Sequence, residues 1–511
     1  MTMHSTDQKI LPLDELAAHL DALRRTGTRV VLCHGVFDLL HVGHIEHLEE
    51  AGAMGDALVV TLTPDRFVNK GPHRPAFPEA LRARAVAALA SVSYVAVNRW
   101  PNSVETIRLL RPSVYVKGPD YKDTGADITG GIVAERTAVE SVGGEIRFTQ
   151  GATFSSSQLL NQHFSPFSRD VDEYLAGFRA SFNADAVLSW LNRVETLRPV
   201  VVGEAIIDEY EFCDGIGKST KDPVLAVLQH DVQAYPGGSL AVANHLAGLC
   251  RHVGLVTQLG DRLGREDFVR SALKPNVEAS LLSKANAPTI HKRRIVDRYS
   301  GSKLLEIYVM DDRLLEAGES AALSAELART CRPADLTIVA DYGHGMMSPD
   351  AIRSLSDASR FLAVNVQSNA GNRGFNPVSK YQRADYLCLA NHELMLETRR
   401  KDGDAEAEIL EVARRVSCPR FTVTMGKTGT LHYDVALGFT RAPALATKVL
   451  DRVGAGDGVL AVTSLLVCAG APWEVVAFVG NVAGAHMVSE LGNSSTLDKV
   501  SLSKHIVSLL K

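Results

Sequence analysis

Several features of membrane, secreted and nucleic-acid-binding proteins are absent from this sequence. No uninterrupted apolar run reaches the ~18 residues of a membrane-spanning helix, and "VVAFVGNVAGAHMV" is broken by Gly, Asn and His. The seven cysteines form no CxxC pair, which argues against a disulfide framework or a zinc site. A formal net charge of −5 is not that of a general nucleic-acid binder. Because the first residues also lack the basic-then-apolar order of a signal peptide, we expect a cytoplasmic protein without nucleic-acid or membrane partners.

The chain of 511 residues is too long for one compact core, so we expect several domains. Apolar strand-like segments such as "TRVVLCHGVF" and "DALVVTLTP" alternate with helix-like segments such as "PEALRARAVAALAS" in the first third. Such alternation predicts an α/β domain with a doubly wound parallel sheet. We assign residues 1–165 to this domain.

A change of pattern follows the first domain. Residues 166–198 are amphipathic and helix-prone, without a strand signal, and are predicted to form a helical connector. Strand–helix alternation then resumes and continues to residue 511, which predicts a second doubly wound α/β domain over 199–511. We expect this domain to open with one strand, "VVVGEAIIDEYEF" (Val200–Phe212).

The segment Val30–Glu50 contains His41, Gly43 and His44 where an apolar run meets an amphipathic one. A strand, a glycine-containing turn and a helix start together expose backbone N–H groups and the positive end of the helix dipole, which favour an anion. Two imidazoles three residues apart would lie on one face, where they can donate to phosphate oxygens. The structural alternative is a pair of half-buried helix-start residues.

The segment Asp451–Gly470 raises a similar question. Gly454, Ala455 and Gly456 precede a strongly apolar helix, and their N–H groups can form an anion cradle. Asp457 at the helix start is placed to accept a proton from a hydroxyl that attacks a γ-phosphate. The alternative is an aspartate that only caps the helix.

The first site lies within a longer pattern. "GVFDLLHVGH" (Gly35–His44) resembles the signature of the HxGH nucleotidylyltransferase superfamily, which includes glycerol-phosphate cytidylyltransferases and heptose-phosphate adenylyltransferases. "KGPHRP" (Lys70–Pro75), "VYVKGPDY" (Val114–Tyr121) and "TFSSSQLL" (Thr153–Leu160) follow in the family's order. The resemblance implies a Rossmann-like fold, Mg²⁺, and direct attack of a phosphate oxygen on the α-phosphorus with release of pyrophosphate.

This resemblance assigns roles to individual residues. The nucleotide would be held by Gly35, Val36, Phe37, Asp38, His41, Gly43, His44 and Arg82, the triphosphate by Ser155, Ser156 and Ser157, and a triphosphate or sugar phosphate by Lys117. His41, His44 and Lys117 would be the catalytic groups. His34 stands where the heptose enzymes usually carry Asn, so the preference between ATP and CTP stays open.

The second site also lies within a longer pattern. "DRVGAGD" (Asp451–Asp457) resembles the C-terminal signature of ribokinase-like sugar kinases, and "YPGGSLAVAN", "TIVADYGHG" and "VTMGKTGT" occur in the expected order before it. The pattern is similar to that of the bifunctional heptose-7-phosphate kinase/heptose-1-phosphate adenylyltransferases, with the order of the two halves reversed. The implied fold is ribokinase-like, and the implied substrates are ATP and a sugar or sugar phosphate.

The resemblance implies four groups of kinase residues: Asp457 as base; Gly454, Ala455 and Gly456 as anion hole; Thr424, Gly426, Gly429 and Asn481 near ATP; and Asp208, Gly237 and Gly238 at the sugar. Beyond the resemblance, Lys292, Arg294, Arg373 and Lys380 are candidates to bind a phosphorylated substrate, although the loop of Arg373 has an alternative as a surface turn. Glu393 is a candidate near Mg²⁺. Lys292 and Arg294 have an alternative as a solvated strand edge. The sequence departs from the family at Arg452, which replaces the usual Thr, and at Glu393, which follows Asn391 by two positions instead of three.

These patterns predict a bifunctional sugar-activating enzyme. The second domain would phosphorylate a sugar or sugar phosphate, and the first would couple a sugar 1-phosphate to a nucleotide, giving an ADP-heptose-like donor. A homo-oligomer through the kinase domain is consistent with the resemblance. Two alternatives stay open: a CTP-using cytidylyltransferase with a weakened kinase domain, and a non-catalytic scaffold that binds nucleotide or sugar.

Overall fold

The structure is a computed structural model that describes residues 6–68, 74–119, 131–150 and 166–511. Its internal contacts divide the chain into two compact units. The first comprises Met1–Pro166 and Ser503–Lys511, and the second comprises Phe167–Leu502.

The first unit is built on a five-stranded parallel sheet with strand order β3-β2-β1-β4-β5. Its two central strands are almost entirely buried, as expected when helices cover both faces. The strands are β1 (Val30–Gly35), β2 (Ala57–Leu62), β3 (Tyr94–Val97), β4 (Val114–Lys117) and β5 (Glu145–Phe148), and the helices are Leu13–Arg25, Val42–Gly52, Glu79–Ala87, Val104–Leu110 and Gly131–Ser141.

The second unit contains a nine-stranded sheet with strand order β10-β9-β6-β13-β14-β15-β16-β17-β18. The pairs from β10 to β16 are parallel, whereas β17 and β18 are added antiparallel at one edge. The strands are β6 (Pro199–Gly203), β9 (Val253–Arg262), β10 (Val277–Pro288), β13 (Leu336–Asp341), β14 (Leu362–Val366), β15 (Tyr386–Ala390), β16 (Arg420–Thr424), β17 (Thr430–Asp434) and β18 (Gly438–Ala442). The predicted doubly wound parallel fold is confirmed in both units.

A separate four-stranded sheet, called here the small sheet, was not predicted. It has the order β12-β11-β7-β8 and consists of β7 (Ala205–Lys218), β8 (Leu225–Gly238), β11 (Ile290–Asp297) and β12 (Lys303–Val309). The prediction of one strand over Val200–Phe212 is therefore wrong, because β6 and β7 lie in different sheets with Glu204 between them. Its buried carboxylate accepts hydrogen bonds from the backbone N–H groups of Tyr342 and His344, both at 3.0 Å, which fixes the chain at this break.

The remaining helices complete the second unit and the C-terminus. They are Arg169–Ser181, Ala184–Val194, Ser239–Ala247, Glu266–Ala272, Ala317–Cys331, Pro349–Ala358, Asn391–Thr398, Ala405–Arg415, Ala455–Cys468, Trp473–Val488 and Lys499–Leu510. The first two lie within residues 166–198, for which a helical connector was predicted, and they are counted with the second unit. Phe178 of the connector stacks on Phe478 with ring centroids 4.3 Å apart. The exact domain boundaries stay a prediction.

Two further findings concern the chain as a whole. All seven cysteines are free, and six of them are buried. Within the described ranges, no helix is both long enough and apolar enough to cross a membrane.

Candidate functional sites

The two predicted imidazoles lie together at the start of the helix that follows β1. His41 is the extended residue just before the helix Val42–Gly52, and His44 lies in its first turn. Their rings stack with centroids 3.9 Å apart. Partial burial lowers the pKa of His41, which favours the neutral ring.

The turn before these histidines has an unusual backbone conformation. Phe37 adopts a positive φ of 47°, and its ring contacts that of His44 edge-on at 5.3 Å. A Cβ at Gly35 would approach the Phe37 ring to 2.9 Å, which explains the glycine. The ring of Phe37 therefore packs against the ring of His44.

Asp38 and Arg82, both predicted to bind nucleotide, are buried and hold loops in place. Asp38 accepts hydrogen bonds from the backbone N–H of Ala76 at 2.5 Å and from Arg74 at 3.2 Å. The guanidinium of Arg82 donates to the carbonyls of Val36 and Phe77, among others. These contacts shape the turn around the histidines, and a direct contact of either residue with nucleotide stays a prediction.

Lys117 lies at the end of β4, with its ammonium 2.9 Å from the carboxylate of Glu135. Glu135 also accepts hydrogen bonds from Ser103 at 2.5 Å and Tyr115 at 3.0 Å. Sequence reasoning missed this carboxylate, because its helix lies well after β4 in the chain. Ser155, Ser156 and Ser157 lie outside the described residues.

The departure at His34 has a structural explanation. Its Nδ1 lies 2.9 Å from the hydroxyl of Thr61, and its Nε2 lies 3.2 Å from that of Thr63. Burial lowers the pKa of His34 to about 3, so the ring is neutral. Both ring nitrogens of His34 therefore contact threonine hydroxyls, one in β2 and one just after it. These contacts do not distinguish ATP from CTP.

The predicted base of the second site is buried at the start of the helix Ala455–Cys468. The Oδ1 atom of Asp457 accepts two hydrogen bonds, from the hydroxyl of Tyr342 and from the side-chain amide of Gln367, both at 2.9 Å. Burial is the main cause that raises the pKa of Asp457 to about 7, and the nearby Asp208 adds to it. A carboxylate with a pKa near neutrality is suited to accept a proton.

The glycine turn before Asp457 requires its small residues. Gly454 caps the helix with φ 82°, and a Cβ there would lie 2.1 Å from the side-chain oxygen of Asn493. Among the described residues, the hydrogen bonds of Asp457 come from the side chains of Tyr342 and Gln367 and not from the backbone of this turn, which favours the functional over the capping interpretation. The N–H groups of Ala455 and Gly456 lie at the start of the helix, where backbone donors lack partners within the helix, and their role as an anion hole stays a prediction.

The small sheet presents charged residues of β7 and β11 side by side. Lys292 pairs with Asp208 and Arg294 with Tyr210 in the parallel register, so these side chains share one face. Arg294 donates to Asp208 at 2.5 Å. Lys292 is only 7% exposed, which excludes the solvated strand edge considered above. Burial lowers its pKa, although Asp208 opposes this.

Gly237 and Gly238 lie beside Asp208 at the end of β8. A Cβ on Gly237 would lie 2.0 Å from a carboxylate oxygen of Asp208, and Gly238 has φ 60°. The structure therefore brings together the predicted substrate residues of the three strands β7, β8 and β11. Arg373, in contrast, is exposed in the loop after β14.

Glu393 lies near the base, next to a cleft. Burial raises its pKa to about 7, and the charge of Asp457 contributes. Its carboxylate accepts backbone N–H groups of Ala390 at 2.7 Å and Ser368 at 3.2 Å. The adjoining cleft has a volume of about 410 Å³ and is also lined by Asn376 and Arg399.

The residues predicted near ATP lie around β16 and β17. Asn481 donates to the hydroxyl of Thr430 at 2.6 Å. Gly426 and Gly429 have φ values of 60° and 97° in the turn that follows Thr424. The turn conformation accounts for both glycines, and contact with ATP stays a prediction.

A parallel α/β fold with a buried carboxylate behind a glycine turn, facing a small sheet that carries cations, defines the class of phosphoryl-transferring sugar kinases. Residues 197–500 match the pfkB family of carbohydrate kinases, and the chain belongs to that family. Residues 32–161 match the cytidylyltransferase-like family. The two domain types expected from the motifs, and their order, are thereby confirmed.

Two curated relatives extend the comparison. The chain is 29% identical over 324 residues to Bifunctional protein HldE of Rhodopseudomonas palustris, an alignment that covers 61% of this chain and 63% of the relative. It is 40% identical over 143 residues to Bifunctional protein HldE of Geobacter metallireducens, covering 28% of each. The alignments thus span less than two thirds of each relative.

Among solved structures, phosphofructokinase-2 from Escherichia coli is similar with a TM-score of 0.52 and 17% identity. The match covers 62% of this chain and 100% of that one. At this identity the likeness concerns the fold.

Proposed function

We propose that the second unit transfers the γ-phosphate of ATP to a hydroxyl group of a sugar or sugar phosphate. The observation that carries this proposal is the placement of Asp457 at the glycine-lined helix start, opposite the charged face of the small sheet. Membership of the pfkB family supports it.

The contacts of Asp457 suggest how it acts. Tyr342 and Gln367 both donate to Oδ1, and within the described part of the chain no hydrogen bond to Oδ2 is formed. The second oxygen is therefore the one that would accept the proton of the attacking hydroxyl. The N–H groups at the helix start would stabilise charge on the γ-phosphate, and the buried Lys292 would neutralise an anionic substrate.

The residues of this site fit Mg²⁺ bound together with nucleotide phosphates. Mg²⁺ in kinases is held by one or two carboxylates, phosphate oxygens and water. Glu393 is a carboxylate whose pKa is raised mainly by burial, so a cation would stabilise its charged form. We propose that Glu393 holds Mg²⁺, directly or through water, and the ion would offset phosphate charge.

For the first unit we propose nucleotidyl transfer to a sugar 1-phosphate with release of pyrophosphate. The stacked pair His41 and His44 at the positive end of a helix carries this proposal, and the cytidylyltransferase-like match supports it. The two rings would donate to α-phosphate oxygens as negative charge develops there. Lys117, held by Glu135, would approach the triphosphate or the sugar phosphate.

The combined product we propose is an ADP-heptose-like donor, used as a lipopolysaccharide precursor. The partial alignments to two proteins named HldE support the pairing of the two activities. The buried cations of the small sheet favour a phosphorylated acceptor over a neutral sugar.

The first test supplies purified protein with Mg²⁺, ATP or CTP, and heptose 1-phosphate. Pyrophosphate release with ATP, lost in His41→Ala, is the expected result. Release with CTP alone would overturn the adenylyl assignment and favour the cytidylyltransferase alternative.

The second test measures ADP formation with a panel of heptoses, pentoses and their phosphates, with Asp457→Asn as control. Turnover that depends on Asp457 supports the kinase, whereas its absence with every sugar favours the weakened-kinase alternative suggested by Arg452. Ligand binding without turnover in either unit would favour the scaffold.

We further propose a cytoplasmic homo-oligomer that associates through the small sheet. Its strands expose several large apolar side chains, among them Ile216, Leu225, Leu228 and Leu305, each more than half exposed. An apolar patch of this kind is typical of a protein interface. A monomer in sedimentation-velocity experiments at micromolar concentration would contradict this proposal.

A further inference from the structure

Asp451, the first residue of the segment DRVGAGD, contacts both the small sheet and the glycine turn before Asp457. It is 7% exposed. Its Oδ1 accepts a hydrogen bond from the ammonium of Lys303 at 2.6 Å, and its Oδ2 accepts one from the hydroxyl of Tyr210 at 2.9 Å. Burial alone would raise the pKa of Asp451, but the hydrogen bond and charge of Lys303 hold it below its ordinary value. Lys303 is therefore the main group that stabilises the charged form of this carboxylate.

Both donors come from the small sheet. Lys303 begins β12, and Tyr210 lies on β7 two residues after Asp208, so Tyr210 and Asp208 share a face. The ammonium of Lys303 also lies 5.6 Å from the centre of the Tyr210 ring. The strands that carry the proposed substrate contacts thus also hold Asp451.

On its other side, Asp451 organises the glycine turn. Its Oδ1 accepts hydrogen bonds from the backbone N–H groups of Arg452 at 2.7 Å and Val453 at 3.2 Å. Its Oδ2 accepts the N–H of Gly492 at 3.1 Å. At Gly492, φ is 51° and a Cβ would lie 2.5 Å from the Tyr210 hydroxyl, so the close packing here requires glycine. The backbone leading to Gly454 is therefore fixed by one carboxylate.

We propose that Lys303 is a positioning residue of the kinase: a cation attached to the small sheet that, through Asp451, holds the glycine turn in the conformation that binds the γ-phosphate. This inference rests on the proposed kinase function and adds a link between the substrate-binding sheet and the phosphate-binding turn.

The charge of Asp451 determines the direction of the effect. Without Lys303, a buried carboxylate beside the turn would lose its countercharge, and its negative field would oppose an incoming γ-phosphate. The turn would also be free to shift, and small misplacements of phosphate-binding groups cost up to about 100-fold in rate. ATP should be affected more than ADP, because only ATP places a γ-phosphate in the turn.

The experiment compares wild-type protein with Lys303→Ala and Lys303→Arg, using Lys401→Ala, an exposed lysine elsewhere in the unit, as matched control. Affinities for ADP and for a non-hydrolysable ATP analogue are measured by calorimetry with Mg²⁺, and sugar phosphorylation is measured in parallel. Lys303→Ala should lower kcat about 10- to 100-fold and reduce the preference for the triphosphate about tenfold. Lys303→Arg and Lys401→Ala should stay within about threefold of wild type.

Chemical rescue separates a positioning cation from a merely structural lysine. Methylammonium added to Lys303→Ala should restore much of kcat and of the triphosphate preference, while sodium at equal ionic strength should not. Wild-type values in Lys303→Ala, or a loss that methylammonium does not repair, overturn the inference. If Lys303→Ala proves unfolded, Tyr210→Phe replaces it, and an unchanged triphosphate preference there likewise overturns the inference.

Failure of the proposed function would give a different pattern. Wild-type protein without sugar phosphorylation would contradict the kinase, yet the ratio of the two nucleotide affinities would still test the role of Lys303. The thermal unfolding midpoint of each variant, compared with that of wild type, checks that the kinase unit is folded.

Discussion

The substitution Asp457→Asn should abolish phosphoryl transfer and at the same time stabilise the kinase unit. Asparagine keeps the shape of the side chain and an oxygen that can accept from Tyr342 and Gln367, but it carries no charge and is no base. Loss of a general base lowers kcat by about 10²- to 10⁴-fold.

The size of the stabilisation follows from the pKa of Asp457. Burial, reinforced by Asp208, raises this pKa from 3.8 to about 7. At about 1.4 kcal/mol per pH unit, the charged carboxylate lowers the free energy of unfolding by about 4 kcal/mol above pH 7. Because the folded state binds the proton more tightly than the unfolded state, this cost is absent below pH 3.8 and grows as the pH rises through the window from 3.8 to 7.

The assay is thermal unfolding of wild type and Asp457→Asn between pH 5 and pH 8, with kcat for sugar phosphorylation measured over the same range. A gain of about 4 kcal/mol corresponds to a rise of about 5 °C in the midpoint for a unit of this size. The difference should be largest at pH 8 and shrink toward pH 5, while wild-type kcat should fall below pH 7 as Asp457 becomes protonated. Equal midpoints at pH 8, or a difference that does not vary with pH, would refute the reasoning.

Three further outcomes are expected. His41→Ala should lower pyrophosphate release about 10²- to 10³-fold by removing a donor to the α-phosphate, and leave sugar phosphorylation unchanged; equal loss of both activities in steady-state assays would contradict two independent sites. Glu135→Gln should raise the KM for the triphosphate or sugar phosphate, because the amide no longer holds Lys117 in position by an ion pair, and an unchanged KM would show that the pair has no role in binding. Gly237→Ala should raise the KM of the sugar substrate at least tenfold, because its Cβ would collide with Asp208, and calorimetry should show ATP binding intact; an unaltered sugar KM would place the substrate elsewhere.

Local sequence was sufficient to predict the fold class and the two helix starts. The turn before Val42 and the glycines before Asp457 each lie next in the chain to the helix that they begin. Backbone N–H groups at a helix start are exposed wherever such a helix forms. Strand–helix alternation likewise depends on short-range patterns of apolar residues, and it predicted parallel sheets in both units.

The partners of these residues were not predictable in the same way. Asp38 and Arg82 match a nucleotide-binding pattern, yet the structure shows both engaged by loops, a distinction that depends on packing. The break at Glu204 was missed because the apolar run continues through it, and only the distant N–H groups of Tyr342 and His344 explain why the strand ends there.

The sequence by itself determined two α/β units, each with a helix start suited to a phosphate. Tertiary structure decided which groups surround these starts: Tyr342 and Gln367 at Asp457, Glu135 at Lys117, and Lys303 at Asp451, a pair separated by 148 positions. The physical reason is that the backbone conformation at a helix start follows from neighbouring residues. The pKa of a buried carboxylate, in contrast, follows from charges and donors that only the folded chain brings within hydrogen-bonding distance.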